Sequence, residues 1–582
     1  MRKIILENNF DQLNNLFKEK KFSEFEKNFL NYEQKNILCE KSYNLYGVYL
    51  TKNENYLLSI KYFEKSLNQN SSYNVAKINL AGVFYKLGEY SKAQKLLEEI
   101  LSKDEKNIYS LRLLSNIYSK IQYQDNEEKI LKKIIIYYPV DFQAYYDLGL
   151  FYYKNNDLHE AEINFKKSIQ LNAKFFPSNY YLALTYKSKK KIKDSEFILN
   201  SLIANYPKIK ETYYTLSDIY RGKGEFEKSN EILDRVLNEI DHSDTFSLYQ
   251  LLSSPHYKNK KKIFDYCKEN YFLLDNDFQE RVGYALFKYF DQQKDYLNAA
   301  KYLKNSLKIT SSKYNYSSKI DNDQFNFLQN VFDHKFKKNL NLCSKNTKNI
   351  FIVGMQRSGS TLLEQMLTTH ENLVSFGELP FFADLITKYY PNQNLNTFEK
   401  DIKNSKETFF LEIGQEYNKK LQSIKSFTIS IDKMLSNFRM IGFLMASIPN
   451  CLVINIYRNK HDNLFSILSN YFENFSAPWS YNEEDLKNYY DNYLSLMDHW
   501  KSIYPNNIID VCYENLINDP KNEIEKVLNK CNITWSENFL NFEKNTNIVE
   551  TASVYQVRQP LYDTSIGRWK NYKNYFPKLF EN

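Results

Sequence analysis

The stretch Gly354-Met355-Gln356-Arg357-Ser358-Gly359-Ser360-Thr361 decides the fold of the second half of the chain. It follows the apolar run 350–353 (Ile-Phe-Ile-Val) and opens the helical pattern 362–367. In such a strand, glycine-bounded loop and helix, backbone N–H groups at the helix N-terminus can bind a phosphate. The glycine spacing matches an ATP-type P-loop, but Ser360 stands where that loop has its lysine. Because Arg357 supplies the positive charge instead, we predict a phosphate-binding loop for a nucleotide other than ATP.

This loop resembles the 5′-phosphosulfate loop of sulfotransferases, which bind 3′-phosphoadenosine 5′-phosphosulfate. The chain is most similar to the tyrosylprotein sulfotransferase group and to its bacterial relatives with tetratricopeptide repeats, over about residues 350–572. The resemblance implies that the phosphosulfate is held by Arg357, Ser358, Gly359, Ser360 and Thr361. An ordinary strand, turn and helix with incidental glycines is the alternative for the loop taken alone.

A second basic position follows the apolar run 451–457. The comparable strand of ATP-hydrolysing P-loop proteins usually ends in an aspartate for Mg²⁺, whereas Arg458 would repel a metal and attract a phosphate. The resemblance implies that Arg458 and Ser466, eight residues later, hold the 3′-phosphate of the cofactor. A surface salt bridge and a helix serine are the alternative. Family members often have Asp-Pro after this arginine, so the conformation at Asn459-Lys460 stays open.

Two side chains are candidates for the chemistry of transfer. Glu378, in the sequence Gly-Glu-Leu-Pro, corresponds to the family's general base; a phenol with a pKa of about 10 needs such a carboxylate to react at neutral pH. Lys433, in the sequence Asp-Lys-Met, corresponds to the family lysine at the bridging oxygen, where a fixed ammonium stabilises developing charge. His370 is the rival base, because other sulfotransferases use a histidine. A helix-start carboxylate and a structural lysine are the alternatives for Glu378 and Lys433.

The resemblance continues towards the C-terminus. Tyr513 opens a Tyr-Glu-Asn-Leu sequence similar to the family's Tyr-Glu-Asp-Leu, whose tyrosine hydroxyl lies at the cofactor. Residues 551–560 and the Gly-Arg-Trp at 567–569 correspond to a segment that closes over the cofactor. This implies that Ser553 lies near the sulfuryl group and that Arg568 reaches the 3′-phosphate. For the tyrosine, a plain core position is the alternative.

The first half of the chain repeats with a period of 34 residues. Small residues stand at Gly47, Ala81, Ser115, Gly149, Ala183 and Ser217, and large apolar residues follow each of them at Phe63, Leu97, Leu131, Phe165, Leu199 and Leu233. This pattern is typical of tetratricopeptide repeats, in which two antiparallel helices cross at the small residues. We predict a helical cap at 1–39, six repeats at 40–243, degenerate repeats and a connector at 244–340, and a sulfotransferase domain at 345–582, with a junction at 341–348.

Strand-like apolar runs appear after residue 345 and alternate with helical segments. They are 350–353, 427–431, 451–457 and 508–512. Such alternation favours a parallel sheet covered by helices. The predicted fold class is therefore α plus α/β: an N-terminal tetratricopeptide-repeat α-solenoid, followed by a P-loop-like three-layer α/β sulfotransferase domain with a parallel sheet.

The amino-acid composition restricts the classes of partner and the cellular compartment that we expect. The net charge of +8, from 78 basic and 70 acidic residues, suits an anionic cofactor or acidic acceptor but does not argue for nucleic acid. The six cysteines are dispersed without a CxxC pair, so we expect no zinc site and no disulfide framework. Residues 1–9 lack the apolar core of a signal peptide, and no window approaches 18 apolar residues. We therefore expect a cytoplasmic protein without a membrane span.

These observations predict sulfuryl transfer from 3′-phosphoadenosine 5′-phosphosulfate, without a metal, to an acceptor hydroxyl. The resemblance favours a protein tyrosine as the acceptor, and the repeat array favours a polypeptide partner. Transfer to a glycan or small molecule, and a peptide-binding scaffold with an inactive nucleotide domain, are the open alternatives. A kinase-like phosphotransferase is disfavoured, because Ser360 replaces the lysine and Arg458 replaces the aspartate of such enzymes.

Overall fold

The computed structural model describes residues 2–121, 123–314, 316–338, 348–390, 394–472, 477–545, 547–551, 553–561 and 565–581. The predicted junction at 341–348 lies outside the described residues except for Lys348. The chain divides into two compact units, Met1–Ile198 and Leu199–Asn582.

Paired helices build the first unit. They are α1 Arg2–Lys18, α2 Phe22–Gln34, α3 Glu40–Lys52, α4 Tyr56–Gln69, α5 Asn74–Lys86, α6 Tyr90–Leu101, α7 Ile108–Lys120, α8 Gln124–Tyr137, α9 Phe142–Lys154, α10 Leu158–Leu171, α11 Phe176–Ser188 and the start of α12 Ile192–Asn205. From α3 onward, the first helix of each pair begins 34 residues after the previous one. The sequence period is therefore the period of the helix pairs.

The predicted small residue lies where the two helices of a pair cross. At Gly47 of α3, an added Cβ would lie 2.6 Å from the ring of Phe63 in α4. Backbone and ring therefore approach too closely for a side chain at this position. The preceding helix α2 packs on this pair, because the ring of Phe29 in α2 stacks on the ring of Tyr46 in α3 with the ring centres 3.8 Å apart.

The second unit begins with further helices. They are α13 Lys210–Lys223, α14 Phe226–Arg235, which continues as a π-helix at Val236–Ile240, α15 Thr245–Ser253, α16 Lys260–Asn270, α17 Asn276–Gln292, α18 Tyr296–Lys313, α19 Ser318–Val331 and α20 His334–Lys338. The first pair, α13 and α14, keeps the 34-residue spacing.

A parallel sheet follows these helices in the chain. Its strands are β1 Asn349–Gly354, β2 Leu373–Gly377, β3 Ile429–Asp432, β4 Cys451–Tyr457 and β5 Ile508–Cys512, in the order β2-β3-β1-β4-β5. Every paired register is parallel, so the carboxyl ends of the strands share one edge of the sheet. The four predicted strands are present, and β2 was not predicted.

Helices cover the sheet. They are α21 Ser360–Leu367, α22 Phe381–Tyr389, α23 Leu395–Asn404, α24 Glu407–Ile424, α25 Ile441–Ser447, α26 Lys460–Leu468, α27 Glu483–Ile503, α28 Tyr513–Asn518, α29 Pro520–Cys531 and α30 Pro577–Phe580. Short 3₁₀ turns occupy Leu435–Met440, Pro478–Tyr481, Glu537–Leu540, Phe542–Lys544, Gln556–Arg558 and Arg568–Tyr572. Alternate residues of β1 enter two separate cores, Ile350 and Ile352 in one and Phe351 and Val353 in the other. The predicted fold class is thereby confirmed.

One of these cores also contains the helices that precede the sheet. It includes Leu248 of α15, Phe287 of α17 and Leu303 of α18, together with β1 and the C-terminal Tyr572. The predicted connector 244–340 thus packs as part of the same compact unit as the sheet. The domain bounds drawn from the sequence stay predictions.

Candidate active site

The loop between β1 and α21 has the backbone shape that its residues predict. Arg357 has a φ of 65° and Gly359 a φ of 99°, both in the left-handed region. A Cβ on Gly359 would lie 2.3 Å from Cδ2 of Tyr513, so this position has no room for a side chain. The loop then runs directly into Ser360, the first residue of α21. This places the helix N-terminus at the carboxyl edge of the sheet.

Arg458 follows β4, the neighbour of β1, and is 7% exposed. Its Nη1 donates to the carbonyl of Arg357 at 3.4 Å, and its Nη2 donates to the carbonyl of Ser565 at 3.0 Å. Its guanidinium lies 4.8 Å from the ring centre of Tyr513, whose hydroxyl is 3.1 Å from Oγ of Ser565. These contacts hold a buried positive charge beside the loop.

Residues 551, 553–561 and 565–572, which we call the closing segment, contact the loop. Nη1 of Arg357 donates to Oγ of Ser553 at 2.6 Å, and Nη2 donates to Oε1 of Gln556 at 3.0 Å. The hydroxyls of Thr361 and Thr551 are 3.1 Å apart. These contacts bring the described part of the segment against the loop, and its closure over a cofactor stays a prediction.

A cleft lies between the loop, α26 and the closing segment. Its wall has a basic part and an apolar part, the latter including Leu362, Ile517 and Phe542. The predicted site residues that border it are Arg357, Gly359, Thr361, Arg458, Ser466, Tyr513, Ser553 and Arg568. Ser358 and Ser360 belong to the same loop and are buried.

Glu378 and Lys433 lie at the ends of β2 and β3, at the same edge of the sheet. Lys433 is 1% exposed, and its Nζ lies 2.6 Å from Oε1 of Glu378 and 3.7 Å from Oε2 of Glu364. The side chain of Glu378 is 49% exposed. Burial opposes the charged form of Lys433, but the two carboxylates outweigh it, so the pKa of Lys433 lies above its ordinary value. Neither Glu378 nor Lys433 borders the cleft.

Asp432, the last residue of β3, is buried beside this pair. Its carboxylate accepts hydrogen bonds from the hydroxyl of Tyr417 at 2.6 Å and from the N–H of Met434 at 2.9 Å. Burial raises the pKa of Asp432 to about 7, and the bond from Tyr417 opposes that rise. Burial therefore favours the protonated form of this carboxyl more than in an exposed aspartate.

The rival base His370 has a different environment. Its ring stacks on Phe539 with centroids 6.0 Å apart, and its Nδ1 accepts from the N–H of Asn372 at 3.2 Å. It does not border the cleft. These contacts give His370 a packing role at the turn after α21.

Three residues near the site were missed by the sequence interpretation. Glu364 lies beside Lys433 and accepts a hydrogen bond from the hydroxyl of Ser375. Asp462 accepts from the N–H groups of Gly567 and Trp569 at 2.7 and 3.3 Å, and Gln556 bonds to Arg357. The sequence did offer a signal for Glu364, because this acidic residue interrupts the apolar pattern of α21. Asp462 and Gln556 carried no comparable signal.

Two further properties concern metals and membranes. Among the described residues, no group of three or more His, Cys, Asp or Glu side chains is arranged to hold a metal ion. The helices described above include none that combines the length and apolar character needed to cross a membrane.

Comparison with known families decides the class of this domain. The sulfotransferase family model matches residues 349–537, which begin at the first residue of β1 and include all five strands. The chain carries a sulfotransferase domain. A tetratricopeptide-repeat model matches residues 142–175, the helix pair α9 and α10. The predictions of a sulfotransferase domain and of tetratricopeptide repeats are confirmed.

Individual proteins match only part of this chain, and at low sequence identity. An uncharacterized protein of Aquifex aeolicus is 28% identical over 312 residues, which cover 52% of this chain and 41% of the relative, so the chain spans less than half of that protein. The uncharacterized protein ycf37 of Cyanophora paradoxa is 33% identical over 122 residues, 20% of this chain and 70% of that protein. A crystal structure of a tetratricopeptide repeat protein from Parabacteroides merdae is 16% identical, covering 49% of this chain and 96% of that one with a TM-score of 0.34.

Proposed function

We propose that the protein transfers a sulfuryl group from 3′-phosphoadenosine 5′-phosphosulfate to an acceptor hydroxyl, and that the acceptor is a tyrosine of a polypeptide. The observation that carries this proposal is that Arg357 and Arg458, from two different strand ends, border one cleft of the sulfotransferase domain. Two fixed guanidinium groups suit a nucleotide with phosphates at two positions. The Glu378–Lys433 pair at the same edge suits the transfer itself.

The residues of the cleft fit this nucleotide. Oγ of Ser358 and Nε of Arg458 are buried and have no hydrogen-bond partner within the described residues. Buried polar groups are normally paired, so these atoms are suited to a bound anion. The apolar wall with Leu362, Ile517 and Phe542 suits a purine base. We assign the phosphosulfate to the loop with Arg357 and the 3′-phosphate to Arg458 and Ser466.

The proposed transfer uses the chain's own charges. Glu378 takes the proton of the acceptor hydroxyl while the acceptor oxygen forms a bond to sulfur. The bond between sulfur and the bridging oxygen breaks, and adenosine 3′,5′-bisphosphate leaves with that oxygen. Arg357, Lys433 and Ser553 stabilise the charge on the transferring group and on the leaving phosphate. The raised pKa of Lys433 keeps its ammonium charged for this role.

A polypeptide acceptor is supported by the helix pairs of the first unit. Tetratricopeptide arrays present extended concave surfaces that suit peptides. We propose that the repeats recruit the acceptor and that the sulfotransferase domain modifies it. We propose a cytoplasmic location, because the cysteines in the described part of the chain are free, as is usual in a reducing compartment.

Transfer of labelled sulfate from 3′-phosphoadenosine 5′-phosphosulfate to a panel of peptides, glycans and small phenols tests the proposal. We expect label on tyrosine peptides, with Glu378→Gln as the inactive control. Label on glycans or small phenols alone would show that the acceptor is a glycan or a small molecule and not a polypeptide tyrosine. Tight peptide binding with no transfer to any acceptor would identify a scaffold with an inactive nucleotide domain and overturn the proposal.

A further inference from the structure

A second cavity adjoins the nucleotide cleft on the side of α17. The two cavities share Arg357, Ser466, Gln556 and Arg568. The far wall of the second cavity includes Lys288 and Asp291, which belong to α17. This helix lies before residue 349, outside the part of the chain that matches the sulfotransferase family. A site that uses this wall would therefore be specific to proteins with this helical segment.

Arg568 is held in place by α17. Its Nη2 donates to Oδ2 of Asp291 at 2.8 Å, and the hydroxyl of Tyr572 donates to Oδ1 of the same carboxylate at 2.6 Å. The guanidinium lies 5.5 Å from the ring centre of Phe287 in α17 and 5.4 Å from that of Phe465 in α26. A charged group fixed on two rings and a carboxylate has few other orientations.

Lys288 is the second cation on this wall. It is half-buried, and its Nζ donates to the hydroxyl of Tyr249 at 2.8 Å. An ammonium has three donors, and this bond uses one of them. The Tyr249 ring centre lies 4.7 Å from the same nitrogen, which restrains the side chain further. The ammonium is therefore held where it can still donate to a ligand.

The charges around the cavity favour an anion. Among the described residues of its wall, Asp291 is the one carboxylate, and it is paired with Arg568. Lys288 adds a positive charge to that neutral pair. Nε of Arg568 is also buried and has no hydrogen-bond partner within the described part of the chain. A dianionic phosphate monoester would satisfy this arrangement.

We propose that α17 completes the nucleotide site. Lys288 binds the 3′-phosphate of the nucleotide together with Ser466 and Arg568, and Asp291 is a positioning residue that orients Arg568. The ligand class is a ribonucleoside with a 3′-phosphate monoester. This inference rests on the proposed function, which assigns Ser466 to that phosphate, and on the family resemblance, which implies the same role for Arg568.

Calorimetry on the full chain tests it, with adenosine 3′,5′-bisphosphate and adenosine 5′-monophosphate as the two probes. The wild type should prefer the bisphosphate. Lys288→Gln and Asp291→Asn should each weaken bisphosphate binding about 10-fold or more while affinity for the monophosphate stays unchanged. Matched controls are Lys301→Gln, exposed on α18, and Asp277→Asn, at the start of α17.

The possible outcomes distinguish a failure of the proposed function from a failure of the role of α17. A wild type that binds both probes equally would sink the proposed function itself. A wild type that prefers the bisphosphate, with Lys288→Gln keeping that full preference, would overturn the role of α17. If Asp291→Asn weakens the binding of both probes equally, and Asp291→Glu does not restore the preference for the bisphosphate, then Asp291 has only a structural role. If Asp291→Asn does not fold, Lys288→Gln alone decides whether α17 contributes to the site.

Discussion

Nζ of the buried Lys433 lies 2.6 Å from the half-exposed carboxylate of Glu378. The two residues are 55 positions apart in the chain, and β2 and β3 bring them together at adjacent strand ends. Removing one partner of a buried ion pair is costly, because the other charge then stays uncompensated. Here Glu364 is a second carboxylate for Lys433, so a change at Glu378 leaves the ammonium with a partner.

Glu378→Gln should abolish transfer and spare nucleotide binding. The amide is nearly isosteric but cannot take the acceptor's proton, and losing a general base typically costs about 10²–10⁴-fold in rate. Single-turnover kinetics and calorimetry with adenosine 3′,5′-bisphosphate separate these two effects. His370→Ala is the matched control and should retain turnover, because His370 packs on Phe539. Near-normal turnover of Glu378→Gln with loss in His370→Ala would reverse the assignment of the base.

Asp432→Asn should change how stability depends on pH. Burial raises the pKa of Asp432 to about 7 in the folded state, against about 3.9 in an unfolded chain. The folded protein therefore holds this proton more tightly, so the stability contributed by the protonated carboxyl is complete below about pH 4 and is lost as pH rises through 7. The loss is at most about 1.4 kcal/mol per pH unit.

Unfolding temperatures measured from pH 4.5 to 8 test this effect. Asp432→Asn should gain on the wild type as pH rises, because the amide carries no charge to bury. The exposed-site variant Asp277→Asn gives the background slope, since that side chain is 81% exposed. Parallel curves for Asp432→Asn and wild type would contradict the proposed titration.

Gly359→Ala should damage the loop. The residue has a φ of 99°, and the new Cβ would lie 2.3 Å from the ring of Tyr513. Strain of this kind costs on the order of 1–3 kcal/mol, and a shifted Tyr513 would also disturb Arg458. Gly82→Ala in α5 is the opposite case, because nothing lies within 4 Å of its new Cβ. Helix propensity should make that variant more stable by up to about 1 kcal/mol.

Calorimetric unfolding and nucleotide binding of both glycine variants provide the measurement. We expect a lower unfolding temperature and weaker binding for Gly359→Ala alone. Unimpaired nucleotide binding by Gly359→Ala would mean that the loop does not bind the phosphosulfate as proposed.

Truncation should distinguish the compact unit from the family-matched domain. A fragment of residues 192–582 keeps all of α12 and the second compact unit, so it should fold and bind adenosine 3′,5′-bisphosphate. It should transfer sulfate poorly to the native polypeptide acceptor, because it lacks most of the repeats. A fragment of residues 349–582 should not fold, since it loses Phe332, whose ring lies 4.7 Å from Phe443, and Asp291, the partner of Arg568.

Circular dichroism and calorimetry on the two fragments check this prediction. Equal transfer by the 192–582 fragment and the full chain would contradict acceptor recruitment by the repeats. A folded, nucleotide-binding 349–582 fragment would contradict both the shared core and the role of α17.

Much of the fold could be predicted because it follows local patterns. The predicted strands at 451–457 and 508–512 coincide with β4 and β5, since each run is apolar except for one residue, Asn455 or Asp510. The edge strand β2 was missed, because its five residues, Leu-Val-Ser-Phe-Gly, contain a serine and a glycine that interrupt the apolar pattern. The helices of the connector 244–340 were predicted from a weak repeat pattern. Such a pattern does not show which surface the helices pack against.

The sequence by itself determined the 34-residue helix pairs, the loop and helix start at Gly354–Thr361 and four of the five strands, because hydrophobic period and backbone preference act over a few residues. The tertiary structure alone decided that Lys433 lies between Glu364 and Glu378, and that Asp291 holds Arg568, 277 positions away. Such pairings depend on where strand ends and packed helices bring side chains together, and burial then sets their charges. No local pattern of residues specifies those distances.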